Sequence, residues 1–226
     1  PLSEVSGVYK HQPEDFEVVE RLPFAPEGEG EHVFLHLCKR EQNTRQVLQQ
    51  LAELAGVPLH HVGYAGLKDR FAVTTQWFSV HLPGAAEPDW RRLESEQLTL
   101  LEVARHRKKL RTGAHSGNDF RLLLRDLQGD PHDLECALEQ VRAHGFPNFF
   151  GEQRFGIGGS NLAQVASFGP LRRGRLSSRQ KKTQDAVRSA LFNEVVAARV
   201  AEGSWQRARS GDRMQREASN SMFRTV

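Results

Sequence analysis

The segment richest in reactive side chains runs from residue 63 to 77, GYAGLKDRFAVTTQW. Two glycines precede Lys68, Asp69 and Arg70, and a β-branched run follows, which is the pattern of a loop entering a sheet. A carboxylate with a cation on each side has two readings. As structure, it is an ion-paired surface turn. As chemistry, it is a carboxylate that neighbouring positive charge keeps ionised, able to act as nucleophile or base at neutral pH without first losing a proton.

Two other segments carry side chains suited to a nucleic acid. Residues 105–120, RHRKKLRTGAHSGNDF, pass from a basic run into Gly113, Gly117, Asn118 and Phe120. Glycines let a backbone approach a phosphate closely, and asparagine can read a base edge. Residues 147–161, PNFFGEQRFGIGGSN, gather three aromatics, four glycines and Arg154. Unpaired bases stack on aromatic faces, at ~1–3 kcal/mol per base. The plainer alternatives are a turn before a strand and a glycine-rich turn pinned by packed phenylalanines.

Charge is distributed unevenly. The net charge is only +3, but residues 1–31 hold eight acids and two bases, whereas 105–111 hold five bases and no acid. Residues 172–188 carry seven bases against Asp185 alone. Two such runs form the footprint of a polyanion site, the alternative being solvated basic faces. Metal chemistry has little support. The ten histidines include no HExxH, and Cys38 and Cys136 form no CxxC and lack histidines at ligand spacing. No metal is expected, and both cysteines read as free thiols packed as small hydrophobes in a reducing cytoplasm. No GxSxG or Walker-type loop occurs. No apolar run reaches the ~18 residues of a membrane helix, and the first residues, PLSEVSGVYKHQPEDF, lack the basic start and apolar core of a signal peptide.

The elements that must position these residues follow from periodicity. Strands are predicted over 16–22, 32–39, 73–82, 98–104 and 120–127. A helix over 44–55 should bury Val47, Leu48, Leu51, Leu54 and Ala55, with Asn43 or Thr44 as N-cap and Gly56 as its stop. A second helix should run from Pro131 to Gly145. A third, over 186–201, should bury Val187, Ala190, Leu191, Val195 and Ala198. Residues 1–145 therefore read as an α+β domain around a mixed, largely antiparallel sheet flanked by helices. Residues 146–226 read as a second, mostly helical domain with Arg-rich loops.

The motifs together go further than their composition. PEDF at 13–16, EGEH at 29–32, Asn43 and Thr44, GYAGLKDR at 63–70 with AVT at 72–74, the run 105–120, the stretch 148–161 and RSALFN at 188–193 resemble the TruD family of tRNA pseudouridine synthases, in that family's order and across nearly the whole chain. The resemblance implies a pseudouridine synthase fold whose second domain is an insertion. It also implies the isomerisation of uridine to pseudouridine in tRNA at uridine 13 of the D-arm, without a cofactor. Asp69 matches the family's catalytic aspartate and Lys10 the base that pairs with it. Phe16 matches the aromatic that stacks on the target base. Asn118 and Phe120 match the active-site asparagine and the aromatic standing where other synthase families keep a tyrosine. Lys68, Arg70 and Arg154 complete the expected substrate-binding set, and the basic runs would take phosphates. A cytoplasmic monomer acting on tRNA is expected. Family members are longer, and this sequence stops at 220–226 inside what should be the insertion, so a native-like active-site loop with reduced or absent turnover is expected of it. The rival readings are a catalytically silent RNA-binding module and a metal-dependent nuclease built on Asp69 with Asp15 or Asp119.

Overall fold

The computed structural model describes residues 5–84, 86–167, 176–215 and 222–225. The chain divides into two compact units, Pro1–Ala137 and Leu138–Val226. The division falls inside a helix, ahead of the domain boundary expected after residue 145.

The first unit is an α+β arrangement on a mixed six-stranded sheet. In chain order its elements are β1 (Ser6–Val8), β2 (Phe16–Arg21), β3 (His32–Arg40), α1 (Thr44–Ala55), β4 (Val62–Tyr64), β5 (Val73–His81), β6 (Leu98–His106), β7 (Gly117–Leu122) and β8 (Arg125–Gln128), with α2 (Pro131–His144) running across the division. The sheet order is β6-β3-β5-β2-β7, and β4 also pairs with β5. All its pairings are antiparallel except β2 with β5.

Alternation along these strands sorts the side chains into two faces. On one, Val33, Leu35 and Leu37 of β3 and Phe78 and Val80 of β5 pack against Val47, Leu48 and Leu51 of α1. On the other, Phe34, Trp77, Leu110 and Ala65 form a smaller cluster. The α1 termini follow from local chemistry. Asn43 accepts the Gln46 N–H at 3.0 Å while the Gln46 side chain accepts the Asn43 N–H at 3.0 Å. Gly56 ends the helix with φ 65°, a conformation that favours glycine. Replacing Asn43 by alanine removes one half of this reciprocal cap, and should cost about 1 kcal/mol in a urea unfolding titration with an unchanged slope.

Two sequence expectations are corrected here. The strand predicted over 120–127 is two strands: β7 joins the main sheet beside β2, whereas β8 turns away to pair with β1. The apolar run Leu122, Leu123, Leu124 conceals the break, and Asp126 takes a positive φ of 49° just beyond it. Cys136 is exposed on α2 instead of packed, with its sulfur 3.6 Å from His132 Nε2. No helix among the described residues is long and apolar enough to cross a membrane.

The second unit contains short 3-10 turns, α3 (Ser160–Ala163), α4 (Ser178–Ala201) and a two-stranded ribbon of β9 (Arg213–Gln215) and β10 (Met222–Arg224). The helix predicted from residue 186 begins a full two turns earlier, capped by Ser177 and Gln180. Its buried face is Thr183, Ala186 and Ser189, whereas Leu191 and Val195 are exposed. Small residues are needed there because the motif loop lies directly against the helix. The side chain of Asn193 brackets the backbone of Phe150, accepting its N–H at 2.9 Å and donating to its carbonyl at 3.0 Å.

Candidate active site

The site lies on the α1 face of the sheet, over β2 and β7. The edge of β5 is shared between two strands: β2 pairs with Val73, Thr74 and Thr75, and β4 with Phe78, Ser79 and Val80. Gln76 and Trp77 are left between them without a strand partner on that edge. The loop 65–72, which carries Asp69, leaves β4 and re-enters β5 around this gap.

The gap is closed by a buried polar network. Glu20, whose side chain is fully buried, accepts the Trp77 N–H at 3.2 Å and forms an ion pair with Lys68, itself 5% exposed. Thr44 accepts the Lys68 N–H at 3.0 Å and donates to Gln76 Oε1 at 3.1 Å. Gln76 in turn donates to the Gly66 carbonyl at 3.0 Å. Lys39, 1% exposed, donates to the carbonyls of Gln42 at 2.6 Å and Asp69 at 2.9 Å. Burial pushes the Lys39 amine down to about 8, against the opposing pull of the Asp69 charge. Side chains thus hold the loop backbone from below at Gly66, Lys68 and Asp69.

Above this network Asp69 meets the N-terminal segment. Its carboxylate accepts from Lys10 Nζ at 2.7 Å, with both side chains partly exposed. Lys10 takes a positive φ of 55°, which costs a lysine free energy and is held only where surrounding contacts fix it. Its ammonium also stands 3.8 Å from the centre of the Phe16 ring. Phe16 and Phe120 are 6.0 Å apart at 53°, so they offer two inclined aromatic faces and no parallel slot. Phe16 is anchored by its neighbour. Asp15, fully buried, takes two hydrogen bonds from Arg125 at 2.8 Å each and the Gln12 N–H at 3.2 Å. The Arg125 guanidinium holds the Asp15 carboxyl down to about 2. Asn118 faces Glu20 across the strand pair. Asn118 Oδ1 and His115 Nδ1 are shielded and lack a hydrogen-bond partner among the described residues, a costly condition that a polar ligand relieves.

The structure therefore brings together Lys10, Asp69, Phe16 and Phe120, with Asn118 on the same strand and face as Phe120. Lys68 is turned inward to Glu20 and its ammonium does not face the opening. Arg70 is exposed beside Asp69, its Nε 3.4 Å from the Glu41 carbonyl. Arg154 belongs to the second unit, where it donates to Ser189 Oγ at 2.9 Å and stands 5.2 Å over the Phe150 ring. Two of the five charges in the basic run are paired with acids, Arg105 with Glu87 and Arg107 with Glu29 and Glu27, while Lys109 donates to the His60 carbonyl and keeps its charge. In the second run, Arg172, Arg173 and Arg175 lie outside the described residues. The acids that a nuclease would add to Asp69 are engaged elsewhere, Asp15 by Arg125 and Asp119 by Arg21. Among the described residues no group of three or more His, Cys, Asp and Glu is arranged to hold a metal.

Sequence reasoning missed Glu20, Lys39, Gln76 and the Asp15–Arg125 pair, and named Thr44 only as a cap candidate and motif residue without its link to the loop. A signal existed for Lys39, Gln76 and Glu20: each is a polar residue in phase with the core-facing positions of its strand, a phase that calls for a partner.

The family model described as tRNA pseudouridine synthase D (TruD) matches residues 2–167, a stretch that includes every one of these site residues. The chain belongs to the TruD family. It is 50% identical to the tRNA pseudouridine synthase D of Methylococcus capsulatus over 97% of this chain and 62% of the relative, and 48% identical to that of Stutzerimonas stutzeri over 96% and 63%. The chain thus spans just over three-fifths of the length of these family members. A solved TruD structure from Methanosarcina mazei superposes with a TM-score of 0.59 at 24% identity, covering 90% of this chain and 56% of that one. The family's pseudouridine synthase fold is the architecture described above.

Proposed function

We propose that the protein isomerises uridine to pseudouridine in tRNA, at uridine 13 of the D-arm, as a cytoplasmic monomer and without a cofactor. The observation that carries this reading is the 2.7 Å pairing of Asp69 with Lys10 beside two aromatic faces and a shielded asparagine oxygen without a partner among the described residues. In the reaction the bond from N1 to C1′ breaks, the uracil turns, and C5 bonds to C1′. The proton lost from C5 is balanced by the one N1 gains, so no electron or group acceptor is needed.

Asp69 acts as nucleophile at the ribose or as base, and Lys10 keeps its carboxylate oriented toward the opening. The uridine must leave its stack to be reached, and Phe16 and Phe120 offset part of that cost. Asn118 binds the edge of the extracted base, and Arg70 holds a nearby phosphate. Lys68 supports the loop from within and is not assigned to the substrate. Arg154 shapes the motif loop of the second unit.

Incubating the protein with a tRNA transcript and mapping pseudouridine by carbodiimide adducts tests the reading. A stop at position 13 that vanishes in a U13C transcript is expected; a modified tRNA lacking that stop overturns the site, and no modification overturns the activity. Phe16→Ala should lower kcat/KM by about 10- to 100-fold, the loss of one stacking face.

A further inference from the structure

We propose that Lys39 is a positioning residue for the reaction: by holding the main-chain carbonyl of Asp69, its ammonium fixes where that residue's carboxylate stands relative to Lys10 and the substrate. The inference rests on Asp69 being the reacting carboxylate.

Lys39 continues the row Val33, Leu35, Leu37 on the core-facing side of β3, a row where an aliphatic side chain is the ordinary occupant. Placing an ammonium there is unfavourable unless it is fully engaged. No carboxylate among the described residues is within ion-pair distance of it, so the engagement is with two carbonyls, those of Gln42 and Asp69. Gln42 lies in the turn between β3 and α1, and Asp69 in the loop between β4 and β5. The buried charge therefore ties two loops together, and one of them carries the reacting group. Asp69 is thereby held at both ends by a lysine, its side chain by Lys10 and its backbone by Lys39. With the main chain fixed, only the two side-chain torsions decide where the carboxylate points, and the Lys10 contact selects them. The charged and titratable groups around the Lys39 amine are Asp69, Lys68 and Cys38. Above a pH of about 8 the amine loses its charge, weakening the tie to both carbonyls.

The test uses the 226-residue chain with Lys39→Met and Lys39→Arg, read by hydrogen exchange and by single-turnover pseudouridine formation against pH. For Lys39→Met we expect exchange in 65–72 to rise about tenfold with β3 and β5 unchanged. Its rate should fall about 10²-fold, the scale of a misplacement near 1 Å, with tRNA affinity kept within about threefold. The wild-type rate should decline above a pH of about 8, and Lys39→Arg, with its permanent charge, should lose that decline. Unchanged exchange in 65–72 with a wild-type rate overturns the inference, as does faster exchange spread evenly over the sheet with affinity and rate falling together. If Lys39→Met does not fold, Lys39→Arg decides: a retained alkaline decline overturns the proposal and its loss supports it. If the wild-type chain makes no pseudouridine, turnover by this 226-residue chain fails, and the exchange comparison alone decides the role of Lys39.

Discussion

Asp69→Asn should reduce pseudouridine formation by on the order of 10⁴-fold or more while tRNA affinity stays within a few-fold of wild type. Asparagine keeps the shape and volume of the side chain, and it can still accept a hydrogen bond from Lys10. The Lys39 and Thr44 contacts to the loop use backbone atoms of Asp69 and Lys68, so they survive the substitution. What is lost is the negative charge, and with it the capacity to attack a carbon or take a proton. The measurement is single-turnover formation of pseudouridine with enzyme in excess, alongside filter binding of the same tRNA. A variant with rate reduced less than tenfold sinks the catalytic role. A variant that loses binding and rate equally makes Asp69 a binding or structural residue.

The second large effect is on stability. Lys68→Met strips the fully buried Glu20 carboxylate of its cation and leaves it only the Trp77 N–H. Removing one partner of a buried pair costs about 3–5 kcal/mol, because the remaining charge stays desolvated. For a chain of this size that corresponds to a fall of about 6–20 °C in Tm. Replacing both groups by apolar residues, Lys68→Met with Glu20→Leu, should recover much of the loss, since the Coulombic gain of such a pair roughly balances its desolvation. Thermal unfolding of the two singles and the double separates the outcomes. A fully stable Lys68→Met with weakened tRNA binding would return Lys68 to the substrate.

Much of the scaffold was legible from periodicity. The boundaries of α1 were readable because Asn43 and Gly56 are strong termination signals flanking a clear apolar stripe. β2, β3, β5 and β6 followed from alternation or apolar runs. Other features depend on contacts that no local pattern encodes. Residues 120–127 look like one strand because three leucines in a row hide the change of partner from β2 to β1. α4 was assigned its apolar residues as a buried face, yet small residues take that role where the Phe150 and Arg154 loop closes on the helix. The site itself is the least local feature: Lys10 and Asp69 are 59 residues apart, and neither identity nor spacing links them. Only the family resemblance paired them. That same resemblance placed Lys68 at the substrate, where burial turns it inward, because a lysine flanking a reactive acid reads alike whether it faces the ligand or the core. Within the basic run at 105–111, the acids that pair with Arg105 and Arg107, namely Glu87, Glu27 and Glu29, come from distant loops and were not readable locally.

The shared edge of β5 sets a rule for how this region can vary. Residues 65–72 are tied at both ends to one strand, through Tyr64 opposite Phe78 on one side and the start of β5 at Val73 on the other. Adding or deleting one residue there would have to be absorbed by sliding β4 along β5, and a one-residue slide exchanges inward and outward positions throughout the pairing. Length change in this octapeptide is therefore costlier than substitution, whereas in the stretch 83–97 between β5 and β6 the anchor is a side chain, the buried Trp90 in the core cluster.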